Sequence, residues 1–201
     1  MYDELNLAAI VAGFTPDVKN WLRHCRLYHQ LDSTNQYLLD YPQTHLVISE
    51  QQRSGRGQHG RSWYSPAGKN IYLSVRWHTK VQQNTAQTTL IVAQAVQQLC
   101  RKLGLQHAWI KPPNDVMLNG RKAAGILIEA ITEGTEVDLV IGIGINVWMQ
   151  ASTDQSPIDQ PWTSLAEAAG ITSASAYPNF NRNHMISQLL NILHNKLRQH
   201  A

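Results

Sequence analysis

The sequence predicts an α+β fold in which a mixed, largely antiparallel sheet is backed by helices. Several short segments alternate apolar and polar residues, which is typical of strands. These segments follow one another as hairpins and meanders, without the regular strand–helix–strand alternation that builds a parallel sheet. Two longer segments carry apolar residues at helical spacing. With 201 residues, 43% of them hydrophobic and 15% charged, the chain can bury the core of a single domain.

The first half of the chain carries two helix starts and two strands. Thr15-Pro16 predicts a helix, whose apolar face would be formed by Val18, Trp21, Leu22 and Cys25. Residues 33–36 have the S-x-x-Q form of a capping box and predict a short helix through Leu39. Residues 46–49 predict a short buried strand. The alternation in residues 70–77 predicts a half-buried strand.

The second half adds a hairpin and two longer helices. Residues 89–103 have a helical periodicity that stops at Gly104. Asn119-Gly120, between apolar neighbours, is the strongest hairpin signal of the chain. Residues 163–170 predict a short capped helix, and residues 183–199 predict an amphipathic closing helix. Strands are predicted at residues 109–110, 116–118, 124–130 and 137–147.

Composition excludes several classes of protein. The formal net charge is only +3, and residues 53–61 are the one locally basic stretch, so we expect no nucleic-acid partner. Cys25 and Cys100 form no CxxC pair, which is typical of reduced thiols in a cytoplasmic protein. Acidic Asp3 and Glu4 argue against a signal peptide. No segment approaches the roughly 20 apolar residues of a membrane span, so we expect a soluble protein.

A glycine- and arginine-rich loop is the first candidate for chemistry. Residues 52–61 contain three glycines and three arginines. Glycines let backbone N–H groups approach a phosphate, and arginine supplies a planar charged fork for phosphate or carboxylate oxygens. The spacing matches neither a Walker A loop nor a GxGxxG turn. Taken alone, the loop fits a phosphate clamp and a flexible surface loop equally well.

A second cluster joins residues 111–115 to Arg121 and Lys122. A lysine beside an acyl phosphate can neutralise charge on the attacking carboxylate and on the α-phosphate. Asp115 could hold Mg²⁺ or orient an incoming amine. Taken alone, these residues fit a turn with exposed surface charges better.

Two further features remain ambiguous from the residues alone. Ser33-Thr34, at a predicted helix N-terminus, could bind a carboxylate or carbonyl oxygen, although helix capping explains it more simply. The glycines in residues 142–146 could let a flat ligand lie against the backbone, or could mark a strand bulge. The nine histidines show no metal-ligand spacing, and no Ser/His/Asp grouping is recognisable.

The order and spacing of these clusters are specific where each cluster alone is not. The segments are residues 32–35, 52–63 with 65–66, 70–74, 111–115, 121–129 and 142–146. From about Leu27 to the C-terminus the chain resembles the catalytic domain of the biotin–protein ligases, also called biotin–[acetyl-CoA-carboxylase] ligases. The resemblance implies a class II aminoacyl-tRNA-synthetase-like fold, with helices on one side of the sheet. We expect one ligase catalytic domain over residues 1–201, with residues 1–26 as a helical extension and no C-terminal β-barrel.

The resemblance also implies two half-reactions. The carboxylate of biotin attacks the α-phosphate of MgATP and gives biotinyl-5′-adenylate and pyrophosphate. The ε-amine of a lysine on a biotin carboxyl carrier protein then attacks the carbonyl and releases AMP. A homodimer formed through sheet edges is a further possibility for this family.

Site residues follow from the resemblance by motif. Arg56, Lys122 and Asp115 are implied as catalytic residues, and Asp115 also as the Mg²⁺ ligand. Contacts to biotin are implied at Ser33, Thr34, Gln52, Gly55, Arg56, Lys122, Leu127, Gly142 and Gly144. Contacts to ATP or the adenylate are implied at Arg56, Gln58, Arg61, Trp63, Asn114, Lys122, Asn146 and Trp162. Residues 150–161 would fold over the adenosine and exclude water.

This sequence departs from the family pattern at two positions. Gln58 stands where the family has a further arginine, and Pro112 stands where it has a tryptophan. A lipoate or octanoate ligase or transferase shares the fold, but residues 55–61 and 111–115 favour biotin. A biotin-sensing regulator would need a DNA-binding domain, for which residues 1–26 are too few. A catalytically inactive binding module is disfavoured because Arg56, Lys122 and Asp115 are all present.

Overall fold

The fold is a single seven-stranded sheet with helices on both faces. The computed structural model describes residues 3–80, 84–151, 153, 157–172 and 178–200. In these residues the strand order is β1-β2-β3-β7-β6-β5-β4. The strands are β1 Cys25–Leu31, β2 Leu46–Gln52, β3 Ile71–Lys80, β4 Trp109–Lys111, β5 Asp115–Leu118, β6 Arg121–Glu133 and β7 Glu136–Ile145. The helices are α1 Leu7–Ala12, α2 Pro16–Trp21, α3 Thr34–Asp40, α4 Thr85–Lys102, α5 Leu165–Ala168 and α6 Arg182–Gln199.

Strand directions confirm the predicted mixed, largely antiparallel sheet. β1 and β2 run parallel and are joined by α3, and the other neighbouring strands are antiparallel. β1 was not predicted, because its half-buried sequence shows no clean alternation. The predicted helix after Thr15 ends at Trp21, and Cys25 belongs to β1.

The strand β3 is buried on both faces, so the prediction of a half-buried strand was wrong. Ile71, Leu73 and Val75 belong to the main core, to which α4 and α6 also contribute side chains. Ser74 and Arg76 point to the other face, where α3 covers the sheet and the Ser74 hydroxyl bonds to side chains of α3. Helices therefore cover both faces, rather than the single face that the family resemblance implied.

Local signals located the hairpin and the helix caps well. Asn119 and Gly120 both have positive φ, 50° and 73°, as a two-residue hairpin loop requires, and they join β5 to β6. The Ser33 side chain accepts from the Gln36 N–H at 3.4 Å and caps α3. Gly104, just after α4, has a φ of 89°. These predicted features are confirmed.

Residues 3–21 pack against α6. The buried Arg182, which is the first residue of α6, joins this segment to the sheet. Arg182 Nη1 lies 2.7 Å from Glu50 Oε2 on β2, and Arg182 Nε lies 3.4 Å from Asp3 Oδ1. Glu50 also accepts from the Leu5 N–H at 2.9 Å. Across the described ranges, every helix is too short or too polar to cross a membrane.

Candidate active site

A cavity of about 690 Å³ opens where the glycine–arginine loop faces strands β5, β6 and β7. Thirteen of the predicted site residues line it: Ser33, Thr34, Gln52, Arg56, Gln58, Arg61, Trp63, Asn114, Asp115, Lys122, Leu127, Gly142 and Gly144. The fold thus brings together segments that are up to about a hundred residues apart in the chain. Their contacts to ligands remain predictions.

Three predicted residues lie outside the cavity lining. Gly55 is buried in the loop, where a Cβ atom would lie 2.7 Å from Ser65 Oγ. Asn146 is 2% exposed, and its side chain donates to the Thr163 carbonyl at 3.0 Å. Trp162 is half-buried beside Lys122, to which it is joined by a β-bridge. These three residues shape the surroundings of the cavity.

The glycine–arginine loop is an ordered turn with its own backbone hydrogen bonds. The Gly57 N–H donates to the Arg61 carbonyl at 2.7 Å, and the Trp63 N–H donates to the Gly55 carbonyl at 2.8 Å. His59 at the tip has a φ of 57°. The loop therefore presents its side chains to the cavity from a defined backbone, as a phosphate clamp needs.

The indole of Trp63 packs against glycines of two neighbouring strands. A Cβ atom at Gly144 would lie 2.6 Å from Trp63 Nε1, and one at Gly125 would lie 2.8 Å from Trp63 Cζ3. Such distances are well inside van der Waals contact, so any larger residue would displace the ring. Of the glycines in residues 142–146, Gly144 therefore accommodates a flat side chain of the protein itself.

Lys122 is held between the indole of Trp63 and a carboxylate. Its Nζ lies 2.7 Å from Asp115 Oδ1 and 5.2 Å from the centroid of the Trp63 ring. The side chains of Lys122 and Asp115 are only 14% and 16% exposed. A cation fixed by an ion pair and a cation–π contact is already oriented before an anionic ligand arrives.

The lining of the cavity also includes neutral polar groups joined by hydrogen bonds. Gln52 Oε1 accepts from the Thr34 N–H at 2.9 Å and from its hydroxyl at 3.1 Å. Gln52 Nε2 donates to Ser65 Oγ at 3.0 Å. Ser74 Oγ lies 2.8 Å from Thr34 Oγ1. Hydroxyl and amide groups of this kind suit a ligand with neutral donors and acceptors.

Arg56 is held on one edge by two side chains. Its Nη1 donates to Gln36 Oε1 at 2.8 Å, and its Nη2 lies 2.5 Å from Glu129 Oε1. Glu129 lies in the family-like segment 121–129, for which the sequence predicts no role at this position. Its signal in the sequence is a lone acidic residue inside the apolar stretch 123–131.

The carboxylates in the cavity lining suit a Mg²⁺ ion only if a ligand supplies further oxygen atoms. Asp115 and the exposed Asp159 are the acidic side chains that line it. Within the described part of the chain, no cluster of three or more His, Cys, Asp or Glu residues could hold a metal ion by itself. Mg²⁺ typically needs only one or two carboxylates when phosphates supply further ligands.

The predicted covering loop, residues 150–161, is described only in part. Residues 157–160 line the cavity, and the Lys122 N–H donates to the Pro161 carbonyl at 3.0 Å. Residues 152 and 154–156 lie outside the described residues. Closure of this loop over a ligand stays a prediction.

Comparisons with known proteins establish the family. The model of the biotin/lipoate A/B protein ligase family matches residues 27–146, and the chain belongs to this family. It is 39% identical over 168 residues to the bifunctional ligase/repressor BirA of Escherichia coli strain K12, covering 80% of this chain and 49% of that protein. It is 34% identical over 138 residues to the biotin–[acetyl-CoA-carboxylase] ligase of Paracoccus denitrificans, covering 66% of this chain and 55% of that protein. The chain thus spans about half the length of these curated relatives.

Solved structures confirm the fold. The biotin protein ligase from Aquifex aeolicus in complex with biotin and ATP superposes with a TM-score of 0.74 at 24% identity, covering 88% of this chain and 71% of that one. The biotin protein ligase from Leishmania major in complex with biotinyl-5-AMP gives a TM-score of 0.63 at 25% identity, covering 86% of this chain and 75% of that one. The predicted biotin protein ligase-like fold is therefore confirmed.

Proposed function

We propose that this chain activates biotin with MgATP as biotinyl-5′-adenylate and then transfers the biotinyl group to a lysine of a biotin carboxyl carrier protein. The observation that carries the proposal is that Arg56, Asp115 and Lys122 line the same cavity as the neutral polar side chains of Thr34 and Gln52. The similarity to the biotin–[acetyl-CoA-carboxylase] ligase of Paracoccus denitrificans supports the same activity.

In the first half-reaction, the ring system of biotin binds against the neutral polar groups of Thr34 and Gln52. Its carboxylate is then directed towards Arg56 and Lys122. Attack of a carboxylate oxygen on the α-phosphate forms an acyl–phosphate bond and releases pyrophosphate. Lys122 stabilises the negative charge that develops at the α-phosphate, because it is already fixed in place by Asp115 and Trp63.

Bound Mg²⁺ would neutralise charge on the phosphates, with Asp115 as the candidate ligand. In the second half-reaction, the lysine amine of the carrier protein attacks the acyl carbonyl. A C–N bond forms, the bond from the acyl carbon to the phosphate oxygen breaks, and AMP leaves. Asp115 is the candidate group to orient the amine and accept its proton. Residues 157–160, at the rim of the cavity, would help to exclude water from the reactive anhydride.

A substrate comparison tests the proposal. The protein is incubated with MgATP and with biotin, lipoate or octanoate in turn, and pyrophosphate release and the adenylate mass are measured. We expect biotin to give both signals and the other acids to give little of either. Adenylate from lipoate but not from biotin would make this chain a lipoate ligase instead.

The second half-reaction is tested with a biotin carboxyl carrier domain added to the mixture. Peptide mass spectrometry should locate biotin on one lysine of the carrier, and a carrier with that lysine changed to arginine serves as the control. Adenylate formation without transfer to any carrier lysine would limit the activity to the first half-reaction.

A further inference from the structure

Arg56 is bound on its outer edge before any ligand is present. One N–H of Nη1 donates to Gln36 Oε1 at 2.8 Å, and Nη2 lies 2.5 Å from Glu129 Oε1. A guanidinium group has five N–H donors, so these contacts leave three N–H groups for a ligand. Arg56 lines the cavity, whereas Glu129 does not. The carboxylate therefore stands behind the arginine.

Glu129 is itself held in place through its second oxygen. Glu129 Oε2 accepts from Asn35 Nδ2 at 2.9 Å, and Asn35 Oδ1 accepts from the Ser74 hydroxyl at 2.6 Å. Asn35 and Ser74 are buried, and the Glu129 side chain is only 22% exposed. The carboxylate is thus anchored to the sheet and to α3 rather than free in solvent.

Gly142 leaves the space that the side-chain amide of Asn35 occupies. A Cβ atom at this position would collide with the side-chain amide of Asn35, so a glycine is needed for the amide to reach both Ser74 and Glu129. A series of hydrogen bonds therefore runs from Ser74 on β3 through Asn35 on α3 to Glu129 on β6. It ends at the guanidinium group of Arg56. An arginine on a loop acquires in this way a position defined by regular secondary structure.

We infer that Glu129 is a positioning residue that orients Arg56 for the carboxylate and the α-phosphate of the substrates. The inference rests on the proposed function, since it deepens the role given there to Arg56. Arg56 is 41% exposed and its side chain would otherwise sample many rotamers. The ion pair removes this freedom before the substrate binds. Binding therefore does not have to bear the entropy cost of ordering the Arg56 side chain.

A double-mutant cycle tests the inference in the biotin adenylation assay. We expect Glu129→Ala to lower kcat/KM by about 10- to 100-fold, the size of effect that misplacement of a reacting group can cause. Glu129→Gln retains an acceptor for Arg56 and should recover much of this loss. In an Arg56→Ala background, Glu129→Ala should have little further effect, because it acts through Arg56. Equal losses in the two backgrounds, or faster adenylation by Glu129→Ala, would overturn the inference.

The matched control is another arginine–carboxylate pair at the same loop. Arg53 Nε lies 2.7 Å from Asp32 Oδ1, and both side chains are more than half exposed. Asp32→Asn should leave kcat/KM unchanged, because an exposed ion pair has little interaction energy with which to hold a side chain in place. Melting curves of all variants show whether a lost rate follows from lost folding. A rate that falls only in proportion to the folded fraction would count against a positioning role.

A measurement without turnover separates this inference from the proposed function. The guanidinium N–H signals of Arg56 are recorded by NMR and assigned by their absence in Arg56→Lys. We expect restricted rotation in the wild-type protein and averaged signals in Glu129→Ala. Averaged signals in both proteins would contradict the inference even if biotin is the substrate. Restricted signals lost in Glu129→Ala would support it even if wild-type protein failed to adenylate biotin, which would contradict the proposed function alone.

Discussion

The Lys122 ammonium group lies 2.7 Å from the Asp115 carboxylate, and both side chains are largely buried in the wall of the cavity. Asp115 opens β5 and Lys122 lies near the start of β6, so the hairpin at Asn119-Gly120 brings the two groups together. The ion pair therefore fixes the position of the lysine ammonium group in the cavity wall. The roles proposed for the two residues are consequently linked.

Removing the lysine should affect rate and stability in separable ways. We expect Lys122→Ala to lower kcat for adenylation by about 100- to 1,000-fold, as loss of a charge-stabilising group does. It also leaves the Asp115 carboxylate without its partner, which should cost about 1–3 kcal/mol of stability. Adding Asp115→Asn should recover the stability in urea denaturation but not the rate. An active Lys122→Ala protein would show that Lys122 does not stabilise the charge that develops at the α-phosphate.

Gly144 should be intolerant of a side chain because of Trp63. A Cβ atom there would lie 2.6 Å from the indole nitrogen, so we expect Gly144→Ala to lower the free energy of unfolding by about 1–3 kcal/mol. Tryptophan fluorescence reports displacement of the indole, and urea denaturation measures the free energy of unfolding. In a Trp63→Ala background the same change should be nearly neutral. An equal cost in both backgrounds would assign the need for glycine to the backbone instead.

Local patterns predicted those features that depend on neighbouring residues. The Asn119-Gly120 hairpin and the Ser33 cap were predicted because their geometry is set by a few consecutive residues. The strand β1 was missed because its place depends on parallel pairing with β2, which no local pattern records. The burial of both faces of β3 likewise depends on where α3 packs.

The candidate site shows the same division. Family motifs identified Arg56 and Lys122 and predicted roles for them, because the motif carries the residue type. The partner of Arg56 was missed, since Glu129 lies 73 positions further along the chain. The position of Trp63 on Gly125 and Gly144 was also missed, because three separate segments must first fold together.

The stability of the protein should fall in mild acid through His45. Its Nδ1 accepts the His24 backbone N–H at 3.2 Å, which requires the neutral imidazole. Burial, followed by the charges of His24 and Arg76, lowers the pKa of His45 below 6.5. As the pH falls below 6.5, the unfolded chain takes up a proton that the folded site resists, and stability is lost. His45→Gln should therefore flatten the pH dependence of the unfolding free energy between about pH 5 and pH 8.

His78 supplies a control of opposite sign. Its hydrogen bond to Asp138 raises the pKa of His78 above 6.5, so its contribution is complete below pH 6.5 and is lost as the pH rises through the raised pKa. His78→Gln should therefore weaken the protein more in acid than in base, whereas His45→Gln should do the reverse. The same pH trend in both variants would contradict the assignment for His45.

Gln58 should weaken retention of the adenylate. It is half-buried in the cavity lining, at the position where the family pattern has an arginine. Its amide can hydrogen-bond a phosphate or carboxylate oxygen, but it supplies neither the charge nor the paired donors of a guanidinium group. A loss of roughly 1–2 kcal/mol corresponds to about five- to thirty-fold faster escape of the intermediate.

Gln58→Arg tests this prediction directly. The release of pre-formed biotinyl-adenylate is followed after dilution into excess unlabelled biotin, and we expect the off-rate to fall by about five- to thirty-fold. Gln58→Glu is the matched variant of opposite charge and should release the adenylate faster than the wild-type protein. His59 lines the cavity beside Gln58, and it could supply the missing donor. In that case Gln58→Arg would leave the off-rate unchanged and His59→Ala would raise it, and the loop would hold its ligand without an arginine at position 58.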